Sequence, residues 1–200
     1  FSAGRPVSVS RQNDRMVDVF VIAGAAGSGK TTFGRALAKR LAIPLLDLDE
    51  VTAPLVAAFR ADHPELDEAE SLTAVRDDRY RDLQRAAVIA TSTGRSVIVT
   101  APFTSEISSP ERWWGFSSGF GSAATVRLIW LEVTPEERLR RMRARGASRD
   151  SRLTTASASA VQLPASVPPV VGHLSLDAHV TNEEKIRITM SHFGNASSAS

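Results

Sequence analysis

Residues 17–23, VDVFVIA, form an apolar run broken only by Asp18. Such a run suits a strand buried on both faces of a parallel sheet better than a half-exposed one, which would alternate. Four more short runs follow. IPLLDLDE (43–50) reads as a strand that stops at two carboxylates, and SVIVT (96–100), VRLIWLEV (126–133) and HLSLD (173–177) as the others. Helical spacing fills the intervals. Phe33, Leu37 and Leu41 recur at i, i+4 and i+8 on a helix that Pro44 ends. Residues 51–59 and 71–91 repeat the helical pattern, with Pro64 between them. Thr134, Pro135 and Glu137 make a capping box that opens a helix running to about Arg145 and stopping at Gly146. Residues 182–193 supply the last helix. Strands alternating with helices predict an α/β chain, a three-layer α/β/α fold around a five-stranded parallel sheet.

The interval after the first strand carries the strongest chemistry. GAAGSGKTT (24–32) satisfies G-x-x-x-x-G-K-[ST] with Gly24, Gly29, Lys30 and Thr31. Placed between an apolar strand and an amphipathic helix, such a loop turns its backbone N–H groups toward a phosphate chain. Lys30 then reaches the outer phosphates and the Thr31 hydroxyl ligates Mg²⁺. The predicted nucleotide site is the whole loop: Gly24, Ala25, Ala26, Gly27, Ser28, Gly29, Lys30, Thr31 and Thr32.

A phosphate held there needs a destination. The third strand ends SVIVTAPF, with no carboxylate before Glu106, so the acidic residue that motor and switch proteins place there is missing. The carboxylates sit instead after the second strand, as Asp47 and Asp49. Ligands of open parallel sheets bind at the carboxyl ends of strands, and two residues apart in an extended segment both would share a face. One of the two can sit near Mg²⁺ while the other hydrogen-bonds an acceptor hydroxyl and takes its proton. Either can instead cap the helix that follows.

Five arginines crowd into RLRRMRARG (138–146). Arg145 and Arg149 flank the helix exit, where a Ser-, Ala-, Thr- and Pro-rich stretch (about 146–169) predicts a short lid. Arg149 is the preferred lid arginine; Arg141 lies one turn before Arg145, and Arg138, Arg140 and Arg143 read as a solvated face. For the acceptor pocket the candidates are Arg79, Phe103 and Thr104 foremost, with Arg60, Tyr80, Glu106, Trp113 and Trp114 behind them. Arg79 can equally be a surface residue and the tryptophans core. The four histidines show no metal-ligand spacing.

Composition narrows the picture further. A net charge of +2 over 200 residues gives no reason to expect nucleic acid as a partner, and the absence of cysteine excludes disulfides and thiolate chemistry. No apolar stretch approaches the roughly 20 residues of a membrane-spanning helix. Residues 1–16 read as an extension or tag remnant, 17–193 as one domain, and 194–200 as a frayed tail; a cytoplasmic monomer or homodimer is expected.

The combination of GAAGSGKTT, LLDLDE and an arginine-rich helix before a Ser/Ala-rich lid resembles the P-loop small-molecule kinases: shikimate kinase, gluconate kinase and the nucleoside monophosphate kinase group. LDLDEVTAPL, VTAPFTSE and RARGASRD look more closely like bacterial AAA-family ATP-binding proteins and kinases without an assigned substrate. The resemblance implies ATP and Mg²⁺ as cofactors and a small molecule, such as a sugar acid, nucleoside or antibiotic hydroxyl, as phosphate acceptor. In shikimate kinases the positions of Asp47 and Asp49 are Mg²⁺-associated and substrate-binding, so the resemblance implies Asp47 as the partner of Mg²⁺ and Asp49 as the group that orients or deprotonates the acceptor hydroxyl. Where those enzymes have Gly-Gly-Gly after the third strand, this chain has Ala101-Pro102-Phe103, which disfavours shikimate itself. Two other readings compete: a nucleotide kinase, and an ATP-binding regulatory module with no small-molecule acceptor.

Overall fold

The computed structural model describes residues 16–145 and 166–194. Five strands, β1 Val17–Ala23, β2 Leu45–Asp47, β3 Val97–Thr100, β4 Ala124–Glu132 and β5 Leu174–Asp177, form one sheet in the order β2-β3-β1-β4-β5. Every pairing is parallel. The helices are α1 Lys30–Leu41, α2 Leu48–Val51, α3 Ala53–Asp62, α4 Glu68–Ala74, α5 Arg76–Ser92, α6 Pro110–Ser117, α7 Pro135–Arg145 and α8 Asn182–Gly194, with a 3₁₀ turn at Ser118–Phe120.

Strand alternation sends β1 side chains to two cores. Val19, Val21 and Ala23 join Val97, Val99, Leu128 and Trp130 against Leu83 and Ala87 of α5. Phe20 and Ile22 join Ile98, Ile129 and Leu131 against Phe33 and Leu37 of α1, with Ile186 and Phe193 of α8 alongside. Leu37 and Leu83 are fully buried, each worth about 1.5–3 kcal/mol in transfer free energy. The three layers and the five parallel strands are those the hydrophobic pattern predicts.

Several boundaries differ. α1 ends at Leu41 with Ala42 in the left-handed region, before Pro44 is reached. The LDE end of the second run is helical, because the Asp47 carboxylate accepts from the Asp49 amide and caps α2. The long helix predicted over 71–91 is two: α4, opened by a capping box at Asp67 and Glu70, stops at Val75, and α5 restarts there. α6 was not anticipated from the sequence; Ser109 caps it and Pro110 occupies its first turn. At α7 half of the predicted capping box forms. Thr134 Oγ1 accepts from the Glu137 amide at 3.3 Å, while the Glu137 carboxylate turns to Arg140 and Arg141. The lid expectation lies, for residues 146–165, outside the described residues, as do the expectations for residues 1–15 and 195–200.

Candidate active site

The loop between β1 and α1 is shaped by close approaches that exclude side chains. A Cβ on Gly24 would lie 2.8 Å from Ser28 Oγ and 2.9 Å from the Leu131 carbonyl. Gly29, at φ 94°, is the N-cap of α1 and supplies no side-chain cap, so the helix presents its first-turn amides to whatever anion the loop receives. Lys30 Nζ folds back to donate to the Ala25 carbonyl at 3.0 Å.

α7 is clamped onto this loop. Arg138 Nε donates to the Ala26 carbonyl at 3.1 Å and Arg141 Nη1 to the Ser28 carbonyl at 3.3 Å. Arg138 is buried, which corrects its reading as part of a solvated face; Arg140 and Arg143 are exposed, as that reading has it. Hydrogen bonds from Arg140, then Arg141, outweigh desolvation and hold the Glu137 carboxyl at about 2. Arg145 ends α7 and its side chain, like the whole of Arg149, lies outside the described residues.

Asp47 is the last residue of β2 and only 6% exposed. Its Oδ2 accepts from Thr31 Oγ1 and from Thr100 Oγ1, both at 2.7 Å, and its Oδ1 from the Asp49 amide at 3.0 Å. One carboxylate thus both caps α2 and contacts the phosphate-loop residue Thr31. Asp49 reaches the same cleft through the first turn of α2, not through the extended face expected of it. Arg79 Nη2 donates to Asp49 Oδ1 at 2.6 Å and Arg79 Nε to Thr52 Oγ1 at 2.9 Å. Arg79 is thus a buried residue of the cleft and not a surface one.

The cleft, about 360 Å³, brings Lys30, Thr31, Asp47, Asp49 and Arg79 together with an apolar wall of Ala69, Leu72, Ala101 and Pro102. A second cleft of about 450 Å³ opens on the other flank of the loop, between Ser28, Thr32, Arg141, Val180 and Asn182. Lys185 forms part of its floor, buried and donating to the Ala178 and Val180 carbonyls; burial, then Arg141, lowers its pKa. Neither Lys185 nor Thr100 was singled out from the sequence. The signal for Thr100 was present: a lone hydroxyl closing an apolar strand at the ligand end of the sheet.

Phe103 is placed differently from expectation. Its backbone is left-handed, φ 52°, and its ring is fully buried between Tyr80 and Phe116, so Ala101 and Pro102 line the cleft in its stead. Thr104 is exposed and outside the cleft lining. The Phe103 amide donates to Tyr80 Oη at 3.1 Å, and Arg76 stacks on the Tyr80 ring while its Nη2 donates to both Glu106 oxygens. Burial, reinforced by Glu106, raises the Tyr80 phenol to about 12. Arg60 is exposed; Trp113 is half-buried against the core and Trp114 is exposed.

The donors suit Mg²⁺ and a nucleoside triphosphate. Mg²⁺ takes hard oxygen ligands, commonly one or two from protein with the rest from phosphates and water, and the Thr31 hydroxyl and Asp47 carboxylate meet at 2.7 Å beside the loop. Among the described residues no cluster of three or more acidic, histidine or cysteine side chains offers a competing all-protein metal site.

A parallel sheet of order 2-3-1-4-5 with G-x-x-x-x-G-K-T after β1 defines a P-loop nucleotide-binding fold. The chain belongs to the AAA domain family, whose defining pattern matches residues 19–166. It is 32% identical over 134 residues to a shikimate kinase of Synechococcus sp. strain CC9605, an alignment covering 67% of this chain and 59% of the relative. The chain therefore spans less than two thirds of that relative's length. In fold it is similar to the Mycobacterium tuberculosis APS kinase CysC (TM-score 0.63, 17% identity, 88% of this chain and 96% of that one). It is likewise similar to a gluconokinase from Sinorhizobium meliloti (TM-score 0.55, 16% identity, 91% and 94%). The expected likeness to P-loop small-molecule kinases is found in sequence, to the shikimate kinase, and in fold, to the APS kinase and the gluconokinase. No described helix is long and apolar enough to cross a membrane.

Proposed function

We propose that this protein is an ATP- and Mg²⁺-dependent phosphotransferase that moves the γ-phosphoryl group to a hydroxyl of a small molecule. The observation that carries the reading is the placement of Asp49, ion-paired to buried Arg79, in the same cleft as Lys30 and Thr31. Names of relatives with shikimate, gluconate or APS as substrate support a small acceptor.

The loop amides and Lys30 hold the phosphate chain, Lys30 exchanging the Ala25 carbonyl for phosphate oxygens. The Thr31 hydroxyl and Asp47 would hold Mg²⁺, which when bound would supply charge neutralisation at the phosphates. Asp49, oriented by Arg79, accepts the proton of the acceptor hydroxyl as that oxygen bonds to phosphorus and the bond to the departing ADP oxygen breaks. Leu72, Ala101 and Pro102 exclude water from the opposite wall, and Arg145 and Arg149 are the arginines proposed to close over the donor. The second cleft, beside Arg141 and Val180, is the proposed seat of the nucleotide base.

The test is ADP release measured against a panel of shikimate, gluconate, nucleosides, antibiotic alcohols and nucleoside monophosphates. Stimulation by a non-phosphorylated alcohol is the expected result. Stimulation by nucleotides alone would replace this reading with a nucleotide kinase, and stimulation only by a macromolecule with a regulatory ATPase.

A further inference from the structure

Thr100 occupies the sheet position where the sequence lacks a carboxylate: its Cα pairs with Ile22 of β1 on one side and with Asp47 of β2 on the other. It is 1% exposed, and its hydroxyl donates to the same Asp47 oxygen, at the same 2.7 Å, as the Thr31 hydroxyl does. The methyl group of Thr100 faces α1 at a point where only glycine fits, since a Cβ on Gly34 would lie 2.9 Å from Thr100 Cγ2 and 3.1 Å from Leu45 Cδ1. A β-branched side chain has few χ1 choices. With its methyl seated against Gly34, the hydroxyl is directed at Asp47.

Resting on the metal-assisted reading above, we infer that Thr100 is a positioning residue for Mg²⁺–nucleotide binding. It fixes Asp47 so that the carboxylate can hold the Thr31 hydroxyl hydrogen while the Thr31 oxygen turns its lone pairs to the ion. The carboxylate that other phosphate-loop proteins place on the strand beside β1 is here one strand further out, and Thr100 spans the gap. Partners that orient metal ligands in this way typically change metal affinity 10- to 100-fold when removed.

The test is calorimetric titration of the full chain with ATP, with Mg²⁺ in excess and again in EDTA, for the wild type, Thr100→Val and Thr100→Ser. The readout is the ratio of the two affinities, which general damage to the fold would not alter selectively; melting curves confirm that each variant is folded. The expected result is a drop of about tenfold or more in the ratio for Thr100→Val, with affinity in EDTA within about twofold of wild type and most of the ratio recovered by Thr100→Ser. A wild-type ratio in folded Thr100→Val overturns the role of Thr100 and leaves the nucleotide site standing. A wild type that binds ATP equally with and without Mg²⁺ overturns the inference together with the metal assignment, and one that binds no ATP overturns the proposed function as well.

Discussion

Replacing Arg79 with methionine removes a guanidinium and leaves most of the apolar stem. Arg79 has a side-chain exposure of 9% and donates to a carboxylate, Asp49, and to a hydroxyl, Thr52. A hydrogen bond to a charged group contributes about 1.5–3 kcal/mol and a neutral one about 1 kcal/mol. Two features lower the total. Asp49 is 46% exposed, so water resolvates its abandoned oxygen, and Thr52 keeps its own bond to the Leu48 carbonyl, so its hydroxyl is not orphaned. The net loss is about 2–3 kcal/mol, which in a domain of this size lowers the melting temperature by about 4–12 °C. Urea denaturation of the nucleotide-free protein measures it, and a double-mutant cycle with Asp49→Asn isolates the pair. A loss below about 0.5 kcal/mol for Arg79→Met, within the usual range of surface substitutions, would refute the placement of Arg79 as the buried orienter of Asp49.

Tyr80 is the single tyrosine of the chain, so absorbance at 295 nm reports its ionisation alone. The native protein is expected to titrate near 12 and the urea-unfolded protein near 10. Because the folded pKa is the higher one, the stability this burial confers is full below about pH 10 and is lost as pH rises toward 12; a native midpoint near 10 would remove Tyr80 from beneath the Phe103 turn. Gly34→Ala drives a methyl into Thr100 and Leu45; overpacking of this kind costs about 1–3 kcal/mol, offset by about 1 kcal/mol of helix propensity that alanine gains inside α1, so thermal melts should show a net loss of up to about 2 kcal/mol. A Gly34→Ala variant stabilised by the full helix-propensity gain would contradict the packing of α1 on β3.

The geometry of the phosphate loop was legible because it is local. GAAGSGKT lies in one stretch, its strand and helix flank it, and the glycines at 24 and 29 sit where close approach or a left-handed backbone demands them. Asp47 and Asp49 were legible as a pair for a topological reason, the carboxyl end of a strand, although the extended geometry assumed for them was wrong. What stayed hidden depends on which way a helix turns in three dimensions. Arg79 and Arg138 carry the same local signature as exposed Arg81 and Arg140, and only packing of α5 against α2 and of α7 against the loop separates them. Phe103 follows the strand end as a ligand residue would, but its left-handed backbone turns the ring into the core.

The central claim, that phosphate passes from the loop to a hydroxyl held at Asp49, is tested most directly by following a γ-labelled ATP phosphate in the presence of pooled small alcohols. For the wild type the label is predicted to appear on an organic acceptor. For Asp49→Asn the transfer should vanish while ATP affinity, which the proposed mechanism assigns to Lys30 and the loop, stays within about twofold. Label appearing solely as inorganic phosphate, or undiminished transfer by Asp49→Asn, would contradict the claim.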